Sequence, residues 1–265
     1  HLDVDGNPSF ADDGIIICNA VNDQISPLVR LDGNTGAFSV WQDQRDGSIG
    51  LYVQHVEPSS GVTFNEDGIE MYFGIDGHGQ LYNDTDPLQM TQKSLYLGDD
   101  RTLLFWEDKR FGNQNIDNLN ISTSYVFGEI IESHFGSMGT LNGEKLSESP
   151  VQIKPSVNAL EDGYLYNFIG QDLSSGENVL KSELLDTDLN SISSSIELVD
   201  GTDWANQKTF MVGRDLENNQ FVFYAKEYWD PSSIWLQVYN SNGVELLTNP
   251  VNIVSNSDLN NYYPR

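Results

Sequence analysis

A chain of 265 residues has room for one large domain or two small ones and for an ample core. Its 40 Asp and Glu against 13 Lys and Arg set a formal charge of −27, which repels phosphate backbones and anionic lipid and argues against nucleic acid as a partner. The single cysteine, Cys18, excludes an intrachain disulfide and a paired-cysteine metal or redox centre; no apolar run approaches the ~20 residues of a membrane span, so no membrane insertion is expected.

Apolar and polar residues alternate in short runs bounded by Gly, Asn, Asp or Ser, which is the pattern of strands. In chain order these are GIIICNAV (14–21), with Cys18 inside it as a buried free thiol, then GAFSVWQ (36–42), GLYVQHV (50–56), GIEMYFG (68–74) and TLLFWED (102–108). A less clear NIDNLNIS (115–122) and SPVQI (149–153) follow, then GYLYNFIG (163–170), NVLKSELL (178–185), SIELVDG (195–201), NQFVFYAKE (219–227), SIWLQVYN (233–240) and NPVNIV (249–254). Asp-Gly and Asn-Gly pairs, which tolerate the positive φ of tight hairpins, are dense between them. The nearest helical candidate, EKLSES (144–149), is short, and the expected class is all-β.

An aromatic residue recurs ahead of a polar stretch: Trp41, Trp106, Phe168 and Tyr224, at spacings of 65, 62 and 56 residues. Each follows a strand opened by a turn and precedes a second alternating strand, a hairpin turn and a last short strand. A unit of about four strands in roughly 55–65 residues is the size of a β-propeller blade. The repeats fall at 24–85, 86–150, 151–203 and 204–259, with partial blades at 1–21 and 260–265, so residues 1–265 read as one propeller domain or a fragment of a longer polypeptide. A two-sheet sandwich is the second choice, against which the four-strand period argues.

The stretch WQDQRDGSIGLYVQHV (41–56) resembles the degenerate W-x-D-x-R-x-G-x-x-(D)-I-Y-x-Q propeller repeat of secreted and surface proteins of Bacteroidetes, many of which carry a type IX secretion sorting domain. Trp41, Asp43, Arg45, Gly47, Tyr52 and Gln54 match it, as do Trp106, Asp108, Arg110 and Gly112; the third and fourth units keep only the aromatic and the strand pattern. The resemblance implies an extracellular or cell-surface location and no particular chemistry, because propellers host both binders and enzymes.

Asp43 with Arg45, and Asp108 with Arg110, share a strand face at i, i+2, where they read as ion pairs or turn clamps rather than as catalytic groups. Alternate oxygens in Asp3-Asp5-Asn7 and Asp186-Asp188-Asn190 could hold calcium, although ordinary hairpin turns explain them and no closing glutamate completes a calcium loop. Trp204, Tyr228, Trp229, Tyr262 and Tyr263 sit in or near loops and could stack on sugars or anchor a protein. The expected function is a non-catalytic extracellular binding or scaffold module whose ligand is a glycan or a protein. The alternative is a glycan-processing enzyme, a glycoside hydrolase or sialidase-like, that uses axial carboxylates.

Overall fold

The computed structural model describes residues 5–10, 14–47, 49–72, 92–98, 100–108, 113–116, 119–134, 136–137, 143–160, 162–174, 178–199, 210–215, 217, 219–225, 233–240 and 244–255. The described strands build four antiparallel sheets and one small hairpin. The first sheet orders β1 (Gln24–Leu31), β2 (Ala37–Asp43) and β3 (Gly50–Glu57), and two short strands, β4 (Gly61–Val62) and β5 (Ile69–Tyr72), both pair with β3. In the second, β6 (Gln92–Gly98) pairs with β7 (Arg101–Asp108); the chain then makes the hairpin β8 (Asn113–Ile116) and β9 (Leu119–Ser122). It returns as β10 (Tyr125–Glu132) on β7, with β11 (Gly136–Ser137) and β12 (Glu144–Lys145) on β10. The third sheet is the meander β13 (Ile153–Leu160), β14 (Gly163–Gln171), β15 (Asn178–Leu185) and β16 (Ile196–Val199). The fourth is β17 (Phe210–Arg214), β18 (Gln220–Ala225), β19 (Ser233–Tyr239) and β20 (Val251–Ser255). The class is as expected from the sequence: all-β, in antiparallel sheets of four or five strands of the β-propeller blade type, with no helix among the described residues.

The chain divides into two compact units, residues 1–114 with 122–146, and residues 115–121 with 147–265. In the first unit Phe38, Val40, Leu51, Val53 and Met71 of one sheet meet Leu104, Trp106, Tyr125, Phe127 and Ile131 of the next. In the second unit Ile169 and Leu180 pack against Val212, Val222, Tyr224 and Tyr239. Central strands are buried along nearly their whole length, as in the unbroken buried run of β14 from Gly163 to Gly170. A strand covered on both faces needs apolar groups on both, and each fully buried Leu or Phe contributes roughly 1.5–3 kcal/mol.

The four recurring aromatics occupy one position in the repeat. Trp41, Trp106, Phe168 and Tyr224 lie on the second strand of their sheets, are at most 4% exposed, and stand opposite Tyr52, Phe127, Lys181 and Trp235. For the two tryptophans the match extends to the turn above the ring. A Cβ on Gly68 (φ +88°) would lie 2.7 Å from Trp41 Cη2, and one on Gly143 (φ +69°) 2.6 Å from Trp106 Cη2. Both glycines are therefore required twice, by a left-handed backbone and by the indole against it.

Four local expectations are corrected. GIIICNAV forms no strand, and its backbone groups are taken by neighbouring side chains: Asn19 N–H donates to Asp67 and the Val21 carbonyl accepts from the Gln24 amide. Cys18 is half-buried rather than buried, its Sγ 3.4 Å from Arg45 Nη2. NIDNLNIS contributes only to the β8–β9 hairpin, and the third strand of its sheet is β10, from YVFGEIIE. Within EKLSES, Glu144 and Lys145 form a short strand.

Candidate active-site cavity and the repeat-motif residues

The W-x-D-x-R-x-G residues of the first sheet close on each other. The Asp43 carboxylate accepts from Trp41 Nε1 (2.8 Å), Arg45 N (2.9 Å), Arg45 Nε (3.0 Å) and Arg45 Nη2 (2.7 Å). The same Nη2 lies 2.9 Å from the Asp67 carbonyl oxygen, and the guanidinium lies 3.8 Å from the centre of the Tyr52 ring. Burial alone would raise the Asp43 carboxyl, but hydrogen bonds from Arg45 and Trp41 outweigh it and hold the group below its ordinary value. The Asp43 hydrogen bonds push Arg45 further toward the charged form. Tyr52 is pushed up to about 12 by burial and by the Glu70 carboxylate that its hydroxyl meets at 3.3 Å. Each donor is met inside the cluster, so its chemistry is that of a clamp between β2, β3 and the turn before β5. In the second sheet Trp106 and Asp108 are buried at the same step; Arg110 lies outside the described residues.

The Asp/Asn turns are also self-contained where described. Asp186 Oδ1 accepts from the backbone N–H groups of Asp188 and Asn190, each at 2.9 Å, and both carboxylate oxygens meet the Asn190 side-chain amide. Those hydrogen bonds, first that of the Asn190 backbone, lower the Asp186 carboxyl. Asp32, Asp215 and Asn240 clamp their own turns in the same i to i+4 manner. Asp5 and Asn7 are exposed, and Asp3 lies outside the described residues. So do all the aromatic platform residues named from sequence: Trp204, Tyr228, Trp229, Tyr262 and Tyr263.

A different acid, not singled out by the sequence, lies in a cavity. Two residues beyond the partner of each repeat aromatic, on the third strand, the sheets place Gln54, Glu129, Glu183 and Gln237, all at most 6% exposed. Gln54 and Gln237 serve the fold: their Nε2 groups donate to the carbonyls of Asn65 (2.9 Å) and Leu247 (3.3 Å) in the loop that follows. Glu183 instead accepts hydroxyls, from Ser147 at 2.5 Å and Ser191 at 3.1 Å. Gln152 fixes the Ser147 segment, donating to the carbonyls of Ser147 (2.8 Å) and Ser149 (2.7 Å) while accepting from the Tyr166 hydroxyl (2.8 Å).

Glu183 opens on a cavity of about 390 Å³, lined also by Glu148, Gln171, Asp172, Lys181 and the serines of 191–195. Burial raises the Glu183 carboxyl, more than the Ser147 and Ser191 hydroxyls and the Lys181 ammonium lower it, and the Glu148 charge adds to the rise. Asp172 is engaged with its own turn, accepting from Ser174 N and Oγ, each at 2.9 Å. Glu148 is exposed at the cavity rim. The site therefore combines a buried carboxyl of raised proton affinity with an exposed one, among hydroxyl and amide groups suited to a polyhydroxylated ligand. The Y-x-Q ending of the first repeat, read against W-L-Q at 235–237 and K-S-E at 181–183, was the signal in the sequence for this position.

No protein-family model matches the chain, and no curated relative does. Among solved structures, it is similar to an endo-arabinase from Bacteroides thetaiotaomicron, with 13% identity, 87% of this chain and 81% of that one covered, and a TM-score of 0.47. An α-L-arabinofuranosidase from Lactobacillus brevis gives 8%, 85%, 71% and 0.45 in the same terms, and a GH43 endo-arabinanase from Bacillus licheniformis 13%, 91%, 83% and 0.44. At these identities the likeness concerns the fold alone. The proteins it reaches are glycoside hydrolases by name, with which the expectation of a non-catalytic binding or scaffold module does not agree.

Proposed function

We propose that the chain is a glycan-processing enzyme that hydrolyses a glycosidic bond at the Glu183 cavity. One observation carries this reading. Sheets one and four hold a glutamine at the Glu183 position and use its amide as a donor, and sheet two buries Glu129 there; Glu183 is the member of this set that faces the described cavity and is met by two hydroxyls. Such a position, with its proton affinity raised by burial, meets the demand on a general acid.

In this mechanism the protonated Glu183 gives its proton to the leaving glycosidic oxygen as the C–O bond breaks. Glu148, exposed at the rim, takes the proton from the water that completes the hydrolysis. Lys181, two residues from Glu183 on the same strand face, limits how far the carboxyl rises, and the Ser147 and Ser191 hydroxyls stabilise the carboxylate left after proton transfer. An extracellular or cell-surface location, as the repeat resemblance implies, suits action on a polymeric glycan.

The test is release of aryl leaving groups and reducing ends from a panel of pentose and hexose glycosides and polysaccharides. Wild type should turn over at least one member, and Glu183→Gln should lose 10²-fold or more, the order typical of removing a general acid. A folded Glu183→Gln that keeps full activity, or a wild type inert across the panel, would refute the proposal.

A further inference from the structure

We propose that Asp32, His55 and Glu57 form a binding site for a zinc-class divalent cation that clips the β1–β2 turn to the end of β3. The three side chains place one ligand atom each within 4.8 Å of one another, and Asp32 and His55 are fully buried. His55 Nε2 lies 2.9 Å from Asp32 Oδ2 and 3.8 Å from Glu57 Oε1. Two ligand atoms about 2.1 Å from a tetrahedral ion stand about 3.4 Å apart, between those two spacings.

The remaining atom of each side chain is already held. Asp32 Oδ1 accepts from the backbone N–H groups of Asn34 (2.8 Å) and Gly36 (3.2 Å), and Glu57 Oε2 accepts from the Thr35 hydroxyl at 3.1 Å. His55 Nδ1 meets Thr63 Oγ1 at 2.8 Å, and that hydroxyl donates onward to the His55 carbonyl at 3.4 Å. With Nδ1 directed at Thr63, Nε2 is the ring atom that faces both carboxylates, and a cation at that point would use Asp32 and Glu57 together. Outer partners of this kind fix the tautomer and aim of metal-binding histidines.

Gly36 adds a separate observation. A Cβ on it would lie 2.6 Å from Asp32 Oδ2, 2.8 Å from His55 Nε2 and 2.8 Å from the Val56 carbonyl oxygen. Glycine therefore lets the backbone pass directly against two of the three ligand atoms. One imidazole with two carboxylates suits zinc, cobalt or nickel better than calcium or magnesium. The half-exposed Glu57 gives the ion its route in.

The experiment is titration of chelator-stripped full chain with Zn²⁺ by calorimetry and with Co²⁺ by visible absorption, alongside thermal melts. One equivalent of Zn²⁺ should bind, raise the Tm, and compete with Co²⁺ for a site whose absorption reports a nitrogen ligand. Glu57→Gln should keep the fold by circular dichroism and weaken Zn²⁺ at least 10-fold; Thr63→Val, which touches no metal, should weaken it by about 10-fold through the ring's orientation. His134→Gln, at an exposed histidine elsewhere, should change nothing. Absence of stoichiometric Zn²⁺ binding into the millimolar range, or unchanged affinity in Glu57→Gln, would overturn the proposal and leave a direct His55–Asp32 hydrogen bond.

Discussion

Replacing Asp43 by asparagine tests the reading of the repeat motif as a clamp. The Asp43 side chain is fully buried and Arg45 only 18% exposed. The substitution removes the charge from a group that accepts four hydrogen bonds, three of them from Arg45, and leaves the guanidinium with a neutral neighbour. Breaking a buried pair from one side costs about 3–5 kcal/mol. Because Arg45 keeps some access to water, the lower end applies, about 3 kcal/mol, or a fall in Tm of roughly 6–12 °C for a chain of this size. The sign with pH also follows. The Asp43 carboxyl is lowered on folding, so its stabilisation is complete above the unfolded value near 3.8 and is lost as pH falls through the lower folded value. Wild type and Asp43→Asn should therefore differ most at neutral pH and converge in strong acid. Thermal melts followed by tryptophan fluorescence, to which Trp41 contributes with the chain's four other tryptophans, measure both effects. A loss below about 1 kcal/mol at neutral pH, in the range of an exposed pair, would refute the clamp.

Three further outcomes are expected. Glu183→Gln should also change the pH dependence of stability: the raised carboxyl favours the folded state below the unfolded value near 4.5, and that contribution is lost as pH rises through the folded value. The variant should thus melt with wild type in acid and above it at neutral pH; for the active enzyme, the basic limb of kcat/KM should lie above the ordinary carboxylate range. Gly68→Ala and Gly143→Ala should each lose about 2–4 kcal/mol by chemical denaturation, combining left-handed strain with the push against Trp41 or Trp106. Millimolar calcium should leave the Tm of wild type and of Asp188→Asn unchanged, since Asp186 is held by its own turn rather than by an ion.

The parts of this molecule legible in its sequence are those set by local period. The recurring aromatic could be read because the second strand of every sheet buries a large ring, in the first two sheets directly under the next turn, and Asp43 with Arg45 because i, i+2 residues share a face. What could not be read depends on register. Asp32 and His55 are 23 residues apart and meet only because β2 pairs Phe38 with His55 and so draws the preceding turn to that end of β3. GIIICNAV misled for the converse reason: an alternating run becomes a strand only if a neighbour offers its ladder, and here the Asp67 and Gln24 side chains take the Asn19 N–H and the Val21 carbonyl instead. The candidate cavity needed both kinds of information, the Y-x-Q spelling and the pairing that makes Glu183 equivalent to Gln54.

That equivalence bears a reciprocal test. In sheet one Gln54 donates through Nε2 to the Asn65 carbonyl and accepts through Oε1 from Phe64 N (2.9 Å) and His55 N (3.0 Å). A glutamate there could still accept but could not donate, and its second oxygen would face a carbonyl oxygen in a buried site. Gln54→Glu should therefore lose about 2–3 kcal/mol, the penalty of an unmet buried carbonyl with a charge set against it. At Glu183 the surroundings are reversed: Ser147 and Ser191 present hydroxyls, which give a hydrogen bond to an oxygen and can equally receive one from an amide. Glu183→Gln should fold without loss. The two swaps, measured by the same melt, should thus have opposite signs at neutral pH. Equal tolerance of both would mean that the third-strand position does not discriminate amide from acid, and the case for a functional carboxyl at Glu183 would fall with it.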